Sequence, residues 1–72
     1  MQIFNYSKLK GRIIEKYGTN QEFSQAMGWA LKTNGEKLSG KSSWTQAEIL
    51  RACELLDIGL DELRPYFFNI AS

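Results

Sequence analysis

The sequence predicts an all-α fold: a small bundle of four to five helices containing a helix-turn-helix, with short extended segments at its N- and C-terminal ends. Three observations predict it. Apolar residues recur at helical spacing in segment after segment. Two Thr-x-x-Glu boxes, Thr19 to Glu22 and Thr45 to Glu48, sit where helices should begin. Third, a short helical segment closed by Gly28 is followed at once by Trp29 and then by another short helical segment, which is the sequence shape of a helix-turn-helix.

Ile3 and Phe4 are too apolar for a free tail, so residues 1–6 are expected to pack on the core or to form a short strand. Ser7 is positioned to cap a first helix over about 7–17, in which Leu9, Ile13, Ile14 and Tyr17 share an apolar face. Lys8, Arg12 and Lys16 fall four apart on another face, and read as a solvated stripe before they read as a binding one. Gly18 supplies a left-handed stop. In the second helix Phe23, Ala26 and Met27 point inward and Gly28 ends it. The third helix is expected over about 30–38, with Leu31, Gly35 and Leu38 inward and Lys32, Thr33, Glu36 and Lys37 outward. After the polar loop 39–43, Trp44 restarts the apolar pattern. The fourth helix spans about 45–56 and carries Ile49, Ala52, Cys53 and Leu56. Ile58 and Leu60 are the expected anchors of the next turn. One more helical turn follows, and Pro65 discourages it from continuing. The aromatic end, Tyr66, Phe67 and Phe68, either caps the core with Ile3 and Phe4 or presents a protein interface.

The composition excludes several functions. The chain of 72 residues is one domain, 1–72, with 43% hydrophobic residues, which argues against disorder. It has no histidine and one cysteine, Cys53, so neither a disulfide framework nor a zinc site of the usual ligands can be assembled. Cys53 reads as a small buried hydrophobe, and Trp29 and Trp44 as core residues closing corners. The commonest general base is missing, no Gly-rich loop matches a phosphate cradle, and so short a chain leaves little room for a closed pocket. A non-enzyme with no cofactor, no metal and no small-molecule substrate is expected. There is no long apolar run and no charged-then-apolar leader, so neither a membrane span nor a signal peptide is expected, and the lone cysteine suits a reducing cytoplasm. The net charge is +1, but unevenly placed. Residues 1–45 hold seven cations against three acids, and residues 46–72 hold two against five. A basic front of this kind suits a protein that meets phosphates with one face.

The opening Asn5-Tyr6-Ser7-Lys8-Leu9-Lys10-Gly11-Arg12-Ile13, the segment from Thr19 to Gly28, the exit Lys37-Leu38-Ser39-Gly40-Lys41, the helix Ala52-Cys53-Glu54-Leu55-Leu56 and the ending Tyr66-Phe67-Phe68 follow one another in order. In these residues the chain resembles the Cro/repressor-type helix-turn-helix regulators of temperate phages of Gram-positive bacteria, with their small antirepressor and modulator-of-repression relatives. The resemblance covers nearly the whole chain. It implies a lambda-repressor-like fold and a role in the choice between lysis and lysogeny. It also implies binding to double-stranded operator DNA, often as a homodimer, with helix 2 across the backbone and helix 3 in the major groove. Carried onto this chain, Asn20 and Gln21 would touch phosphate, and Ala30, Lys32, Thr33 and Glu36 would sit at or near base edges. Lys37, Lys41, Ser42 and Ser43 would hold the backbone. Lys32 is the best base reader, because an ammonium donates to guanine O6 and N7.

Helix 3 departs from the family pattern. Asn34 stands where a branched apolar residue is usual, Gly35 where Ser is usual, and Ala30 at an N-cap often held by Ser. Gly35 costs about 1 kcal/mol in a helix interior, and the missing cap about another 1 kcal/mol. Either Leu31 and Leu38 take over the core contact and Asn34 swings outward, where it could pair with adenine, or Asn34 is half-buried and needs a backbone partner. Two functions follow. The first is a transcription regulator that binds operator DNA through its helix-turn-helix. The alternative is an antirepressor that binds the phage repressor protein without reading DNA by itself, motivated by the poor helix 3, the near-neutral charge and the aromatic end (Tyr66, Phe67, Phe68).

Overall fold

The structure, a computed structural model, describes residues 4–70. Five helices follow one another: α1 (Ser7–Tyr17), α2 (Asn20–Met27), α3 (Leu31–Ser39), α4 (Gln46–Leu56) and α5 (Leu63–Phe67), the last entered through a 3-10 turn, Leu60–Glu62. The expected all-α bundle is the fold. Its ends are extended, as expected: Phe4 and Ile70 form an antiparallel bridge, and the Asn5 N–H donates to the Asn69 carbonyl at 2.6 Å. Ile3 lies outside the described residues.

Local chemistry sets most helix ends. Gly18, Gly28 and Gly40 follow α1, α2 and α3 with φ of 83°, 81° and 86°, a region L side chains rarely adopt. Thr19 Oγ1 accepts from the Glu22 N–H and opens α2. At α4 the box is complete, with Thr45 Oγ1 accepting from the Glu48 N–H and Glu48 Oε1 accepting from the Thr45 N–H. At α1 the N-cap is Tyr6 and not Ser7, which is already helical; Tyr6 makes no side-chain cap bond, and the Asn5 carboxamide one residue further out accepts the Ser7 N–H at 2.8 Å. Pro65 lies inside α5 rather than after it, because it falls in the first turn, where its missing N–H has no intrahelical acceptor.

The core gathers Leu9 and Ile13 of α1, Phe23 and Met27 of α2, Leu38 of α3, Ala52, Cys53 and Leu56 of α4, and Ile58 and Phe67 beyond it. Trp29 and Trp44 are half-buried against it, edge to face at 5.4 Å, and Trp44 meets Phe67 in the same way at 5.1 Å. Edge-to-face pairs add to area burial because the positive ring edge meets the negative face. Three expected core positions are instead exposed. Ile14 and Leu60 point to solvent, leaving Ile58 as the turn's single buried anchor. Leu31 is 54% exposed. The aromatic end divides: Phe67 is buried in the core, Tyr66 is half-buried, and Phe68 is exposed.

Candidate functional site

The edge that carries most of the expected contact residues runs from the start of α2 along α3 to the loop after it. Helix α2 ends at Gly28, the Trp29 N–H donates back to the Ser24 carbonyl, and α3 begins two residues later. Ala30 occupies the N-cap of α3 and makes no side-chain cap bond. Asn20, Gln21, Ala30, Lys32, Lys41 and Ser43 are exposed along this edge, and Thr33, Glu36 and Ser42 are half-buried.

Two of the expected contact residues are not on the surface at all. Lys37, expected to face outward and hold the DNA backbone, is 8% exposed. Its ammonium donates to Glu48 Oε1 at 2.8 Å and to the Ser43 carbonyl, and it lies over the Trp29 ring, 5.8 Å from the centroid. A buried ammonium requires such partners, because desolvation penalises the charge unless it is paired. The same Glu48 oxygen closes the α4 capping box, so one carboxylate ties α3 to the start of α4. Burial pushes the Glu48 carboxyl up, but the hydrogen bonds from Lys37 and Thr45 outweigh it and hold the group below the ordinary glutamate value.

Asn34 is the second. It is 1% exposed, so it does not swing outward toward a base. Nor does its carboxamide find the backbone partner that burial demands: Oδ1 has no hydrogen-bond partner among the described residues. Leu31 and Leu38 do not displace it from the interior. The buried residues of α3 are Asn34, Lys37 and Leu38, an i, i+3, i+4 set, whereas Leu31 stands at the helix start beyond the core.

Leu31, Asn34, Gly35 and Leu38 instead form one wall of an open cleft of about 530 Å³, faced by Lys10 of α1 and by Asn20 and Gln21 of α2. The cleft is open partly because Gly35 contributes no side chain: a Cβ there would meet nothing within 4 Å. Of the face expected to close on the core, Leu38 does so, while Leu31 and Gly35 are exposed along the groove. Sequence reasoning missed Lys10, Leu31, Leu38 and Glu48. For Glu48 the capping box marked the residue but not its second partner.

The basic stripe of α1 is largely committed to the fold. The Arg12 guanidinium donates to the Leu56 and Asp57 carbonyls at 2.9 and 3.1 Å, satisfying the end of α4, and pairs with Glu15. Lys16 pairs with Asp57 at 3.0 Å, and Lys8 lies over the Tyr66 ring at 5.0 Å. Arg51 donates to the Ala26 carbonyl. Burial pushes the Cys53 thiol up, away from the reactive thiolate. No helix of the described residues is long and apolar enough to cross a membrane.

Together these features define a small all-α helix-turn-helix domain whose α3 edge carries a groove instead of a row of outward-pointing readers. The chain belongs to the family described as "Protein of unknown function (DUF739)", whose model matches residues 2–70. Among solved structures it is similar to the modulator of repression (MOR) of the temperate bacteriophage TP901-1 from Lactococcus lactis. The two share 40% sequence identity over 94% of this chain and 92% of that one, with a TM-score of 0.82. No curated protein matches. Of the branches that the sequence resemblance spans, the likeness found is to a phage modulator of repression.

Proposed function

We propose that this chain is a phage antirepressor: a non-catalytic protein that acts inside the bacterial host by docking onto the phage repressor and modulating repression, without reading operator DNA by itself. The withdrawal of Lys37 and Asn34 into the fold carries this reading. A major-groove helix needs donors and acceptors on its outward face. Here two of the polar residues of α3 serve the interior, and the free cations along the edge and its cleft are Lys10, Lys32 and Lys41 among the described residues. The similarity to a modulator of repression supports the same reading, since a protein of that name acts on repression. Exposed Phe68 and half-buried Tyr66 add apolar area of the kind protein partners cover. Phe67 adds none, because it belongs to the core.

Light scattering after size exclusion tests this. The chain mixed with the repressor of its own phage should elute as a complex heavier than either component. Separate elution at micromolar concentrations would count against the proposal. The DNA-binding reading, with or without a homodimer, is favoured by one observation: Asn20, Gln21, Lys32, Lys41 and Ser43 are exposed along a single edge. These residues suit phosphate contacts, which position a protein without supplying sequence discrimination.

A further inference from the structure

We propose that an acid-rimmed apolar groove at the end of α4 docks a basic amphipathic segment of the phage repressor. Apolar side chains of that segment lie against Leu50 and Leu60, and its lysines or arginines meet Glu54 and Asp61. This rests on the reading of the chain as a repressor-binding protein and assigns the contact surface within it. Helix α4 ends at Asp57, whose φ of 55° turns the chain back. Residues 58–60 then run beside the helix face that carries Leu50, Cys53 and Glu54, and an open groove of about 490 Å³ lies between them. Cys53 and Ile58 are buried and form its floor. Leu50 and Leu60 stand at its rim, 50% and 61% exposed, so the bundle covers neither.

The charges around the groove select its occupant. Both charged residues that line it, Glu54 and Asp57, are acidic. Gly59 adds two more, because a Cβ there would stand 2.6 Å from Asp61 Oδ1 and 3.8 Å from Glu62 Oε1, so both carboxylates lie at that end of the groove. Asp57 is paired with Lys16, and Glu62 accepts the Gly59 N–H. Glu54 and Asp61 have no ion-pair partner among the described residues. Glu54 is also poorly placed for the fold alone. It stands in the last turn of α4, at the negative end of the helix dipole, and that turn holds no basic residue to offset it. A cation arriving from outside relieves that repulsion. An anionic partner, whether DNA or a phospholipid surface, meets like charge instead. A second copy presenting the same face sets four carboxylates against four. The repressor has the complementary charge, because a protein that holds operator phosphates carries lysines and arginines to do it.

Calorimetric titration of the full chain with the repressor tests this, using the wild type, Glu54→Lys and Leu60→Ser, with thermal midpoints measured on each. Glu54→Lys reverses the charge and puts a cation at the end of α4. Its midpoint should be unchanged or raised while repressor binding weakens by about tenfold or more. A merely structural role for Glu54 would not part binding from stability in this way. Leu60→Ser removes apolar rim from an exposed position, should weaken binding by about the same factor, and carries the test alone if the first variant does not fold. Added salt should weaken wild-type binding more steeply than that of Glu54→Lys. Folded variants that bind as well as wild type would overturn the groove assignment and leave the repressor-binding function standing. A wild type that does not bind the repressor would overturn both. A wild type that doubles its mass by itself in sedimentation equilibrium, and loses that pairing in Glu54→Lys, would overturn the assignment in favour of a second copy of the chain.

Discussion

Lys37 and Glu48 form the least exposed ion pair among the described residues, and it joins α3 to α4. Their side chains are 10% and 23% exposed, intermediate between a surface pair and a buried one. Lys37→Ala should therefore cost about 2 kcal/mol, between the ranges for exposed and buried pairs, as read from urea unfolding. The pair also sets an acid dependence. The folded-state pKa of Glu48 is depressed, so its contribution is present above the unfolded value and is lost as pH falls through the folded one. Unfolding free energy should decline as pH drops below the ordinary glutamate range, and Glu48→Gln should flatten that decline. Cys53 gives a third expectation: its buried, raised thiol should react with a thiol reagent only at the rate the chain opens. None of the Lys37 partners was legible in the sequence, since Glu48, Ser43 and Trp29 reach it through tertiary packing. The buried state of Cys53 was legible, because a lone cysteine on an apolar helix face has few other places to go.

At the scale of elements, what was legible followed how local the cause was. The limits of α1 and α2 could be read because glycine stops and threonine caps act within four residues. The facing of α3 could be read only in part: Leu38 is buried and Lys32 exposed as expected, but Leu31 is exposed and Lys37 is buried. Leu31, Gly35 and Leu38 have the spacing of an inward stripe, but Gly35 leaves that stripe unfilled and the wall stays open as a cleft. The stripe Lys8, Arg12 and Lys16 was visible as a stripe, but its acceptors at the end of α4 lie more than forty residues away in sequence for Arg12 and Lys16. Two substitutions check the local account by thermal denaturation. Gly35→Ala should stabilise the chain by about 0.5–1 kcal/mol, because the position is helical and a Cβ meets nothing there. Thr45→Ala should cost about 1 kcal/mol by removing the acceptor for the Glu48 N–H.

The whole molecule is closely packed: its radius of gyration is 11.2 Å, and a compact chain of this length has about 11 Å. The cleft is thus a surface feature of a well-filled bundle, set into the edge that α2 and α3 present together. The candidate edge was legible as a place, since α2, the turn and α3 stand where the sequence puts them. Its chemistry was not, because which polar residues turn inward depends on Glu48 and Trp29. A net charge of +1, with Arg12, Lys16 and Lys37 engaged in ion pairs, leaves a weak field for phosphate. The most direct test of the central claim is fluorescence anisotropy of the labelled chain at low salt, titrated with operator DNA and, in parallel, with the phage repressor. The account predicts a saturating rise with the repressor and none with operator DNA. A rise with operator DNA that falls steeply with added salt, and no rise with the repressor, would contradict it.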